Sequence, residues 1–131
     1  MVSTRGRYAL RVMIDLAENA DQGLVPLKDV AARQEISKKY LEIIMRDLVS
    51  AGMVDAASGK SGGYKLSRQP SEYTVLDILN ASEGGLAPVA CLQANAEPCP
   101  RESICKTLPL WKEYGELITS FFGEKKLSDL L

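Results

Sequence analysis

The chain has 131 residues, of which 46% are hydrophobic and 25% charged. This length suits one compact domain with an appended element, and the composition is typical of ordinary globular proteins. No apolar run reaches the roughly 18–20 residues of a membrane-spanning helix. The N-terminal segment also lacks the apolar core of a signal peptide, so we expect a cytoplasmic protein with no membrane partner.

The charge is unevenly distributed along the chain. Residues 1–70 carry eleven Lys or Arg against eight Asp or Glu, a net +3, whereas residues 71–131 carry five against nine, a net −4. A basic first half and an acidic second half fit a nucleic-acid reader joined to a sensing or pairing half. Imbalances this small also arise by chance, so the charge alone decides little.

Hydrophobic periodicity predicts three helices in the first fifty residues. The first helix spans about residues 3–19, and its expected apolar stripe consists of Leu10, Met13, Ile14 and Ala17. The second spans about 27–34, with Leu27, Val30 and Ala31 facing inward. The third spans about 38–51, with an inward stripe of Leu41, Ile44 or Met45, and Leu48. Ser37 is a favourable N-cap for the third helix, and Gly52 stops it.

The rest of the chain begins with a predicted β-hairpin. Two short strands flank the Gly- and Ser-rich segment 58–63, a pattern typical of a hairpin. A fourth helix is expected at about 75–81, with Val75, Ile78 and Leu79 apolar. Residues 83–100 are rich in Gly and Pro and are predicted to form a loop. A last long helix is expected from about Glu102 to Phe122.

The second and third helices, joined by the short turn at 35–37, have the pattern of a helix-turn-helix. The second helix of such a pair enters the DNA major groove with its N-terminal residues toward the bases. The side chains that can point outward there are Ser37, Lys38, Lys39, Tyr40 and Glu42. Lys reaches phosphates or guanine, and Glu accepts a hydrogen bond from cytosine. The alternative is a solvated, charged helix face.

The hairpin that follows has the position of the wing in a winged helix. Ser58, Lys60, Gly62 and Gly63 lie at its tip, where small residues let backbone N–H groups approach phosphates and Lys60 supplies charge. A plain surface turn is the alternative. The order of three helices and a hairpin favours the wing, and with it DNA binding.

These residues resemble a known family, the IscR, NsrR and RirA group of bacterial regulators (the Rrf-two family). The resemblance covers nearly the whole chain. It is carried by Arg5-Gly6-Arg7-Tyr8-Ala9, by Ile36-Ser37 with Tyr40-Leu41-Glu42, by Gly62-Gly63-Tyr64, and by three cysteines ahead of Leu110-Trp111. It implies a dimer that binds a roughly palindromic promoter site in double-stranded DNA. At the wing position where family members carry an arginine, this chain has Ser58.

The expected fold is mainly α-helical, with a small β-hairpin wing and a long C-terminal dimerisation helix. Residues 1–82 would form the winged helix-turn-helix, 83–105 a cysteine-containing sensor loop, and 102–123 the dimerisation helix. Thr4, Arg5 and Arg7 near the N-terminus complete the expected DNA-binding set. The dimer contact is expected from the apolar stripe of Trp111, Tyr114, Ile118 and Phe121, since such a helix is longer than a small winged-helix core needs.

Cys91, Cys99 and Cys105 are the three cysteines of the chain, in the spacing C-x7-C-x5-C. An odd number in a cytoplasmic chain disfavours a structural disulfide. The spacing alone leaves two interpretations open, free thiols and ligands for a soft metal or an iron–sulfur cluster. The resemblance favours an iron–sulfur cluster, of the 2Fe–2S or the 4Fe–4S type, with a spacing similar to that of the RirA branch.

A fourth cluster ligand is not evident. The chain has no histidine, and Leu108 lies where the cluster-synthesis regulators of the family place one. Arg7 lies where the nitric-oxide-sensing branch has an aspartate in its first helix. Glu97, Glu102 or solvent could complete such a site.

The sequence therefore predicts a dimeric DNA-binding regulator that senses iron, redox state or nitric oxide through a cluster on the three cysteines. Two alternatives stay open: a thiol redox switch, and regulation by a small metabolite or a partner protein without a cluster. An enzyme is disfavoured because there is no recognisable nucleophile–base pair, and Gly62-Gly63 precedes a strand and not a helix, unlike a nucleotide-binding loop.

Overall fold

The computed structural model describes residues 2–131, which form five α-helices and one two-stranded antiparallel sheet. The helices are α1 (Thr4–Glu18), α2 (Leu27–Gln34), α3 (Lys38–Ser50), α4 (Val75–Glu83) and α5 (Leu108–Glu124), and the strands are β1 (Val54–Ala57) and β2 (Gly63–Leu66). In this part of the chain, no helix is long and apolar enough to cross a membrane. The predicted mainly helical fold with a β-hairpin wing is confirmed.

Local signals account for the helix boundaries. Ser3 caps α1 by accepting a hydrogen bond from the N–H of Gly6, and Ser37 caps α3 by accepting one from Tyr40. Thr74 begins α4 with a reciprocal capping box to Asp77. Each cap satisfies N–H groups that the first helical turn leaves unpaired. The predicted bounds of α2 and the Ser37 cap of α3 are confirmed.

Helix α1 lies at the centre of the core, in contact with α2, α3, α4 and β2. Its buried apolar side chains are Ala9, Val12, Met13 and Leu16, whereas the predicted stripe consists of Leu10, Met13, Ile14 and Ala17. Met13 belongs to both sets, and Leu10 and Ile14 of the predicted stripe are partly buried against the same core, so the predicted stripe lies at the margin of the buried face and not at its centre. Several elements pack around α1, so its buried face is wider than one stripe, and periodicity alone does not locate the centre of that face.

Helices α3 and α4 bury the side chains that periodicity predicts. Leu41, Ile44, Met45 and Leu48 of α3 and Val75, Ile78 and Leu79 of α4 are all buried. In α2, Val30 is buried, and Leu27 and Ala31 are partly buried against the same core. The core therefore orients α3 with its Leu41 side inward, which leaves its N-terminal polar side chains facing out.

The hairpin is attached to the core at its base. β1 pairs with β2 from Val54 opposite Leu66 to Ala57 opposite Gly63. Val25, just before α2, exchanges two backbone hydrogen bonds with Tyr64 at 2.8 and 2.9 Å. The buried Tyr73 hydroxyl donates to the carbonyl of Met53 at 2.7 Å. These contacts hold the hairpin at a set angle beside α3.

The last helix begins later than predicted. α5 starts at Leu108, and the expected start at Glu102 is a separate short 3₁₀ turn, Glu102–Ile104. Pro109 explains the difference, because it has no N–H to donate to the carbonyl four residues earlier and its ring clashes with that carbonyl. Proline fits an undistorted helix only in its first turn. Cys105 therefore lies ahead of the helix, in extended backbone.

Candidate nucleic-acid interface and cysteine pocket

The N-terminus of α3 presents most of the predicted DNA-reading side chains to solvent. Ser37, Lys38, Lys39 and Glu42 are exposed, while Leu41 between them is buried. The turn before α3 is sharp, because Glu35 takes a left-handed conformation with φ of 53° and Ile36 is buried behind it. Two ammonium groups and one carboxylate thus stand at one helix end, which is the chemistry that reads phosphates and base edges.

Tyr40, the remaining predicted side chain of α3, is half-buried against α1. Its ring meets the ring of Tyr8 edge-on, with centroids 5.7 Å apart. The guanidinium of Arg11 lies 5.0 Å from the Tyr8 ring centre and donates to Gln34 at the end of α2. These contacts connect α1 to both helices of the helix-turn-helix. Sequence reasoning missed Arg11 as a positioning residue, and no local pattern marks it.

A buried carboxylate clamps α1 to α2. Asp15 is 1% exposed and accepts two hydrogen bonds from Arg33, at 3.0 and 2.8 Å, and one from Gln34 at 3.0 Å. The hydrogen bonds with Asp15 raise the pKa of Arg33 above its usual value, and the attraction of the same carboxylate adds to the effect. A paired, fully hydrogen-bonded carboxylate tolerates burial. Sequence analysis did not identify this pair.

Of the side chains predicted to contact DNA near the N-terminus, two are exposed and one is held in an ion pair. Thr4 and Arg7 are exposed and hydrogen-bonded to each other at 3.0 Å. Arg5 instead forms an ion pair with Asp47 of α3, with its Nε 3.0 Å from the carboxylate. The Arg5 guanidinium therefore already ties α1 to α3. A DNA contact from any of the three stays a prediction.

The wing tip is exposed, and close packing within the chain itself accounts for its two glycines. Ser58 and Lys60 are open to solvent. A Cβ on Gly62 would lie 2.4 Å from the carbonyl oxygen of Ala57, and one on Gly63 would lie 2.5 Å from that of Val25. Gly63 is buried. Close backbone packing thus requires both glycines whether or not they also contact DNA.

The three cysteines surround one cavity of about 220 Å³. Cys91 lies in a one-turn 3₁₀ helix, Ala90–Leu92, and Cys99 and Cys105 flank the turn Glu102–Ile104. All three are free thiols. The lining of the cavity also includes Glu97, Glu102 and Lys112.

The donor atoms suit a soft metal or an iron–sulfur cluster, because three thiols converge on a single space. They are not gathered to ligand distance, however. Within residues 2–131, no three Cys, Asp or Glu side chains stand close enough to hold a metal ion as placed. The geometry therefore brings the predicted ligands around one cavity but does not form a ligand set.

Cys105 differs from the other two thiols in its surroundings. Its Sγ is 3.4 Å from the hydroxyl of Thr107. That hydroxyl, followed by the backbone N–H groups of Thr107 and Leu108 and the charge of Arg101, lowers the pKa of the Cys105 thiol below its usual value. Reactive and metal-binding cysteines share this kind of environment, because the thiolate is the nucleophile and the ligand.

The last helix carries an unpartnered apolar row. Leu110, Tyr114, Leu117 and Phe121 are 56%, 48%, 68% and 56% exposed. Their spacing of four, three and four residues is that of a coiled-coil seam. Of the predicted contact set, Tyr114 and Phe121 lie in this row, while Trp111 and Ile118 flank it and are half-buried.

Comparison with known proteins gives a consistent answer. The Rrf2 family model, described as an iron-dependent transcriptional regulator, matches residues 2–131. Protein rrf2 of Nitratidesulfovibrio vulgaris is 36% identical over 130 residues, which are 99% of this chain and 86% of that protein. The transcriptional regulator IscR of Xenorhabdus nematophila is 35% identical over 130 residues, 99% of this chain and 78% of that protein.

A solved structure extends the likeness to the fold. CymR, the global cysteine regulator of Bacillus subtilis, superposes with a TM-score of 0.77 at 35% identity, over 99% of this chain and 95% of that one. These relatives are regulators and not enzymes. With a family model that matches residues 2–131 and relatives above 30% identity over almost all of its length, this chain belongs to the Rrf2 family of transcriptional regulators.

Proposed function

We propose that this regulator is a homodimer that binds promoter DNA and senses iron, redox state or nitric oxide through an iron–sulfur cluster at the cysteine pocket. The observation that supports it is the convergence of all three thiols on one cavity immediately ahead of α5. We infer that the cavity is the sensor, α3 and the wing are the DNA reader, and α5 is the dimer helix.

DNA recognition rests on charge and orientation at α3. Lys38 and Lys39 are exposed beside Glu42. The ammonium groups attract phosphates irrespective of sequence, whereas the carboxylate accepts a hydrogen bond from cytosine and repels a misplaced acceptor. Lys60 at the wing tip adds a phosphate contact on the neighbouring groove. Arg5, held by Asp47, fixes the distance between α1 and α3.

Dimerisation rests on the apolar row Leu110, Tyr114, Leu117 and Phe121. Each of these side chains is about half exposed or more, and contiguous apolar surface of this kind marks an interaction site. Seam spacing favours an identical helix as the partner, because a two-fold axis lets one row cover the other. Two recognition helices would then face two half-sites of a palindromic operator.

Sensing rests on the three thiols and the elements connected to them. Cys91, Cys99 and Cys105 would hold the cluster, and Glu97 and Glu102 are carboxylates that line the same cavity. A bound cluster supplies a redox-active centre that oxygen, nitric oxide or loss of iron can alter. Because the thiols are not at ligand distance as placed, holding it requires the loop to contract. That contraction acts on α4 and α5, the two elements the loop joins.

Anaerobic purification with an absorption spectrum and iron and sulfide analysis tests the cluster. We expect a visible charge-transfer band and near-stoichiometric iron and sulfide, lost when Cys91, Cys99 and Cys105 are all replaced by Ser. Operator binding is then compared with and without the cluster. A colourless protein that also fails anaerobic reconstitution would remove the cluster from this proposal and leave the DNA-binding part standing.

A thiol switch is the second candidate, because the three cysteines are free and share a cavity. The Cys105 thiolate would attack a hydroperoxide and displace hydroxide or alkoxide, giving a sulfenic acid. The thiol of Cys91 or Cys99 would then form a disulfide with loss of water. Non-reducing peptide mass mapping after peroxide treatment identifies this bond. If peroxide abolishes DNA binding while all three cysteines stay reduced, this thiol switch is excluded.

A further inference from the structure

A second and larger cavity lies beside the cysteine pocket. It has a volume of about 760 Å³ and runs as a groove between α4, the loop after it and α5. This volume falls in the range of about 300–1,000 Å³ that small-molecule sites occupy. The groove shares Leu92 and Lys112 with the cysteine pocket, so anything bound in it touches the sensor loop directly.

The lining carries charges of both signs. Lys112 and Glu116, one turn apart on α5, line one side, and Glu83 of α4 lines the other. Among residues 2–131 the salt bridges are Arg5–Asp47 and Asp15–Arg33, which leaves Lys112 and Glu116 without an ion-pair partner. Glu83 uses only its Oε1 for hydrogen bonds, to Ser3.

We propose that this groove binds a small zwitterion, a free α-amino acid. Its carboxylate would meet Lys112 and its ammonium would meet Glu116 and Glu83. Residues four apart on a helix lie on the same face, with Cβ atoms about 5–6 Å apart, so the flexible side chains of Lys112 and Glu116 can reach the two charged groups of one small ligand. The amide of Asn80 and the hydroxyl of Thr119 also line the groove and can accept or donate further hydrogen bonds.

The balance of charges disfavours other ligand classes. A phosphate or nucleotide would meet two carboxylates for one ammonium and be repelled. An apolar ligand would cover part of the charged lining without pairing Lys112 or Glu116, which is unfavourable. A zwitterion pairs both signs at once, and Leu76, Leu86 and Pro88 supply apolar surface for its side chain.

The groove stays open in the proposed dimer. The dimer row occupies positions 110, 114, 117 and 121 of α5, whereas the groove takes its lining from 112, 115, 116, 119 and 120. At about 100° per residue these sets face in different directions. Gly115 belongs to the groove set, where a Cβ would lie 3.3 Å from the ring of Pro88. The small residue thus lets the loop approach the helix closely.

Occupancy would act on the loop that carries Cys91. The loop starts at Gly84 and Gly85, with φ of 74° and 131°, conformations that glycine adopts without strain. A ligand held between Lys112 and Glu83 would join both walls across this glycine pair. We therefore expect occupancy to slow the alkylation of Cys91. Neither the cluster nor DNA binding is needed for this inference.

The test is binding of each proteinogenic L-amino acid, in free form, to the full-length purified protein, by thermal shift and calorimetry. We expect saturable binding of at least one, lost for its N-acetyl derivative and for its amide. Lys112→Met and Glu116→Gln should each weaken the affinity about tenfold or more, equivalent to about 1.4 kcal/mol. Lys28→Met and Glu113→Gln, exposed residues outside the groove, are the matched controls and should leave the affinity unchanged.

Three results would overturn the inference: no saturable binding of any free amino acid, equal binding of the capped derivatives, or unchanged affinity in both groove variants. Circular dichroism shows that the variants are folded. A second readout is the rate at which iodoacetamide labels Cys91, which should fall when the bound amino acid is present. Operator binding by the same protein separates a failure of this inference from a failure of the proposed function.

Discussion

Glu83 accepts two hydrogen bonds from Ser3, one from the backbone N–H at 2.8 Å and one from the hydroxyl at 2.9 Å. Ser3 is the N-cap of α1, and Glu83 is the last residue of α4, next to Gly84 where the cysteine-containing loop begins. Gly6 makes this possible, because a Cβ there would lie 2.0 Å from the Glu83 carboxylate. The base of the loop is thus joined to the helix that packs on α3.

Gly6→Ala should break this link without unfolding the protein. The added methyl displaces the flexible end of Glu83, while alanine improves helix propensity by about 1 kcal/mol, so the free energy of unfolding should change by less than about 1 kcal/mol. We expect the difference in operator affinity between cluster-loaded and cluster-free protein to shrink. Glu83→Gln, which keeps an acceptor oxygen, is the control and should keep the difference. An undiminished difference in Gly6→Ala would show that the link carries no signal.

Arg33→Ala should be strongly destabilising. It leaves the carboxylate of Asp15, 1% exposed, with Gln34 as its only remaining side-chain donor, and stranding a buried charge costs about 3 kcal/mol or more. Urea denaturation measures the loss. Adding Asp15→Asn to Arg33→Ala should recover part of it, because the buried charge is removed. Lys28→Ala, on the exposed side of the same helix, should change the stability by less than about 0.5 kcal/mol.

Glu42 and Lys39 should affect DNA binding in different ways. Glu42→Ala is expected to change sequence preference at one position of each half-site by about 1–3 kcal/mol. Lys39→Ala should weaken binding to all sequences and lower the salt dependence by about one phosphate contact. Fluorescence anisotropy on an operator and its single-base variants, over a salt series, separates the two. Unchanged affinity and preference in both variants would mean that the N-terminus of α3 does not face DNA.

Leu117→Arg should convert the proposed dimer to a monomer. Leu117 is 68% exposed in the single chain, so an arginine there costs the isolated subunit little, but it would place two charges in the dimer seam. Light scattering coupled to size exclusion measures the mass, and operator affinity should fall with it. Thr119→Arg, an exposed position on another face of α5, should remain dimeric. A dimeric Leu117→Arg protein would place the interface elsewhere.

Cys105 should react with alkylating agents at lower pH than a cysteine in an unstructured peptide. The Thr107 hydroxyl donates to the thiolate and lowers the pKa of Cys105, so the thiolate fraction, and the rate with it, reaches half its maximum at a lower pH. Mass spectrometry of iodoacetamide labelling across a pH series follows this residue. Thr107→Val removes the hydroxyl and should move the midpoint upward. An unmoved midpoint would exclude the hydroxyl as the cause.

Local features of this chain can be predicted from its sequence. The caps at Ser37 and Thr74, the turn before α3, and the buried faces of α3 and α4 depend on residues within a few positions of one another. Hydrogen bonding and hydrophobic periodicity act over the same short range. The start of α5 is also set locally. The predicted start at Glu102 was wrong because it placed Pro109 inside the helix.

The sequence by itself determined the helical elements, the hairpin wing, the exposed polar N-terminus of α3 and the presence of three thiols in one loop. Only the tertiary structure decided that those thiols line one cavity, that Arg5 is paired with Asp47, and that Glu83 accepts hydrogen bonds from Ser3 at the start of α1. The same holds for the buried face of α1 and for the pairing of Asp15 with Arg33. Such pairings join residues far apart in the chain, and their partners depend on how the core packs, which no local pattern encodes.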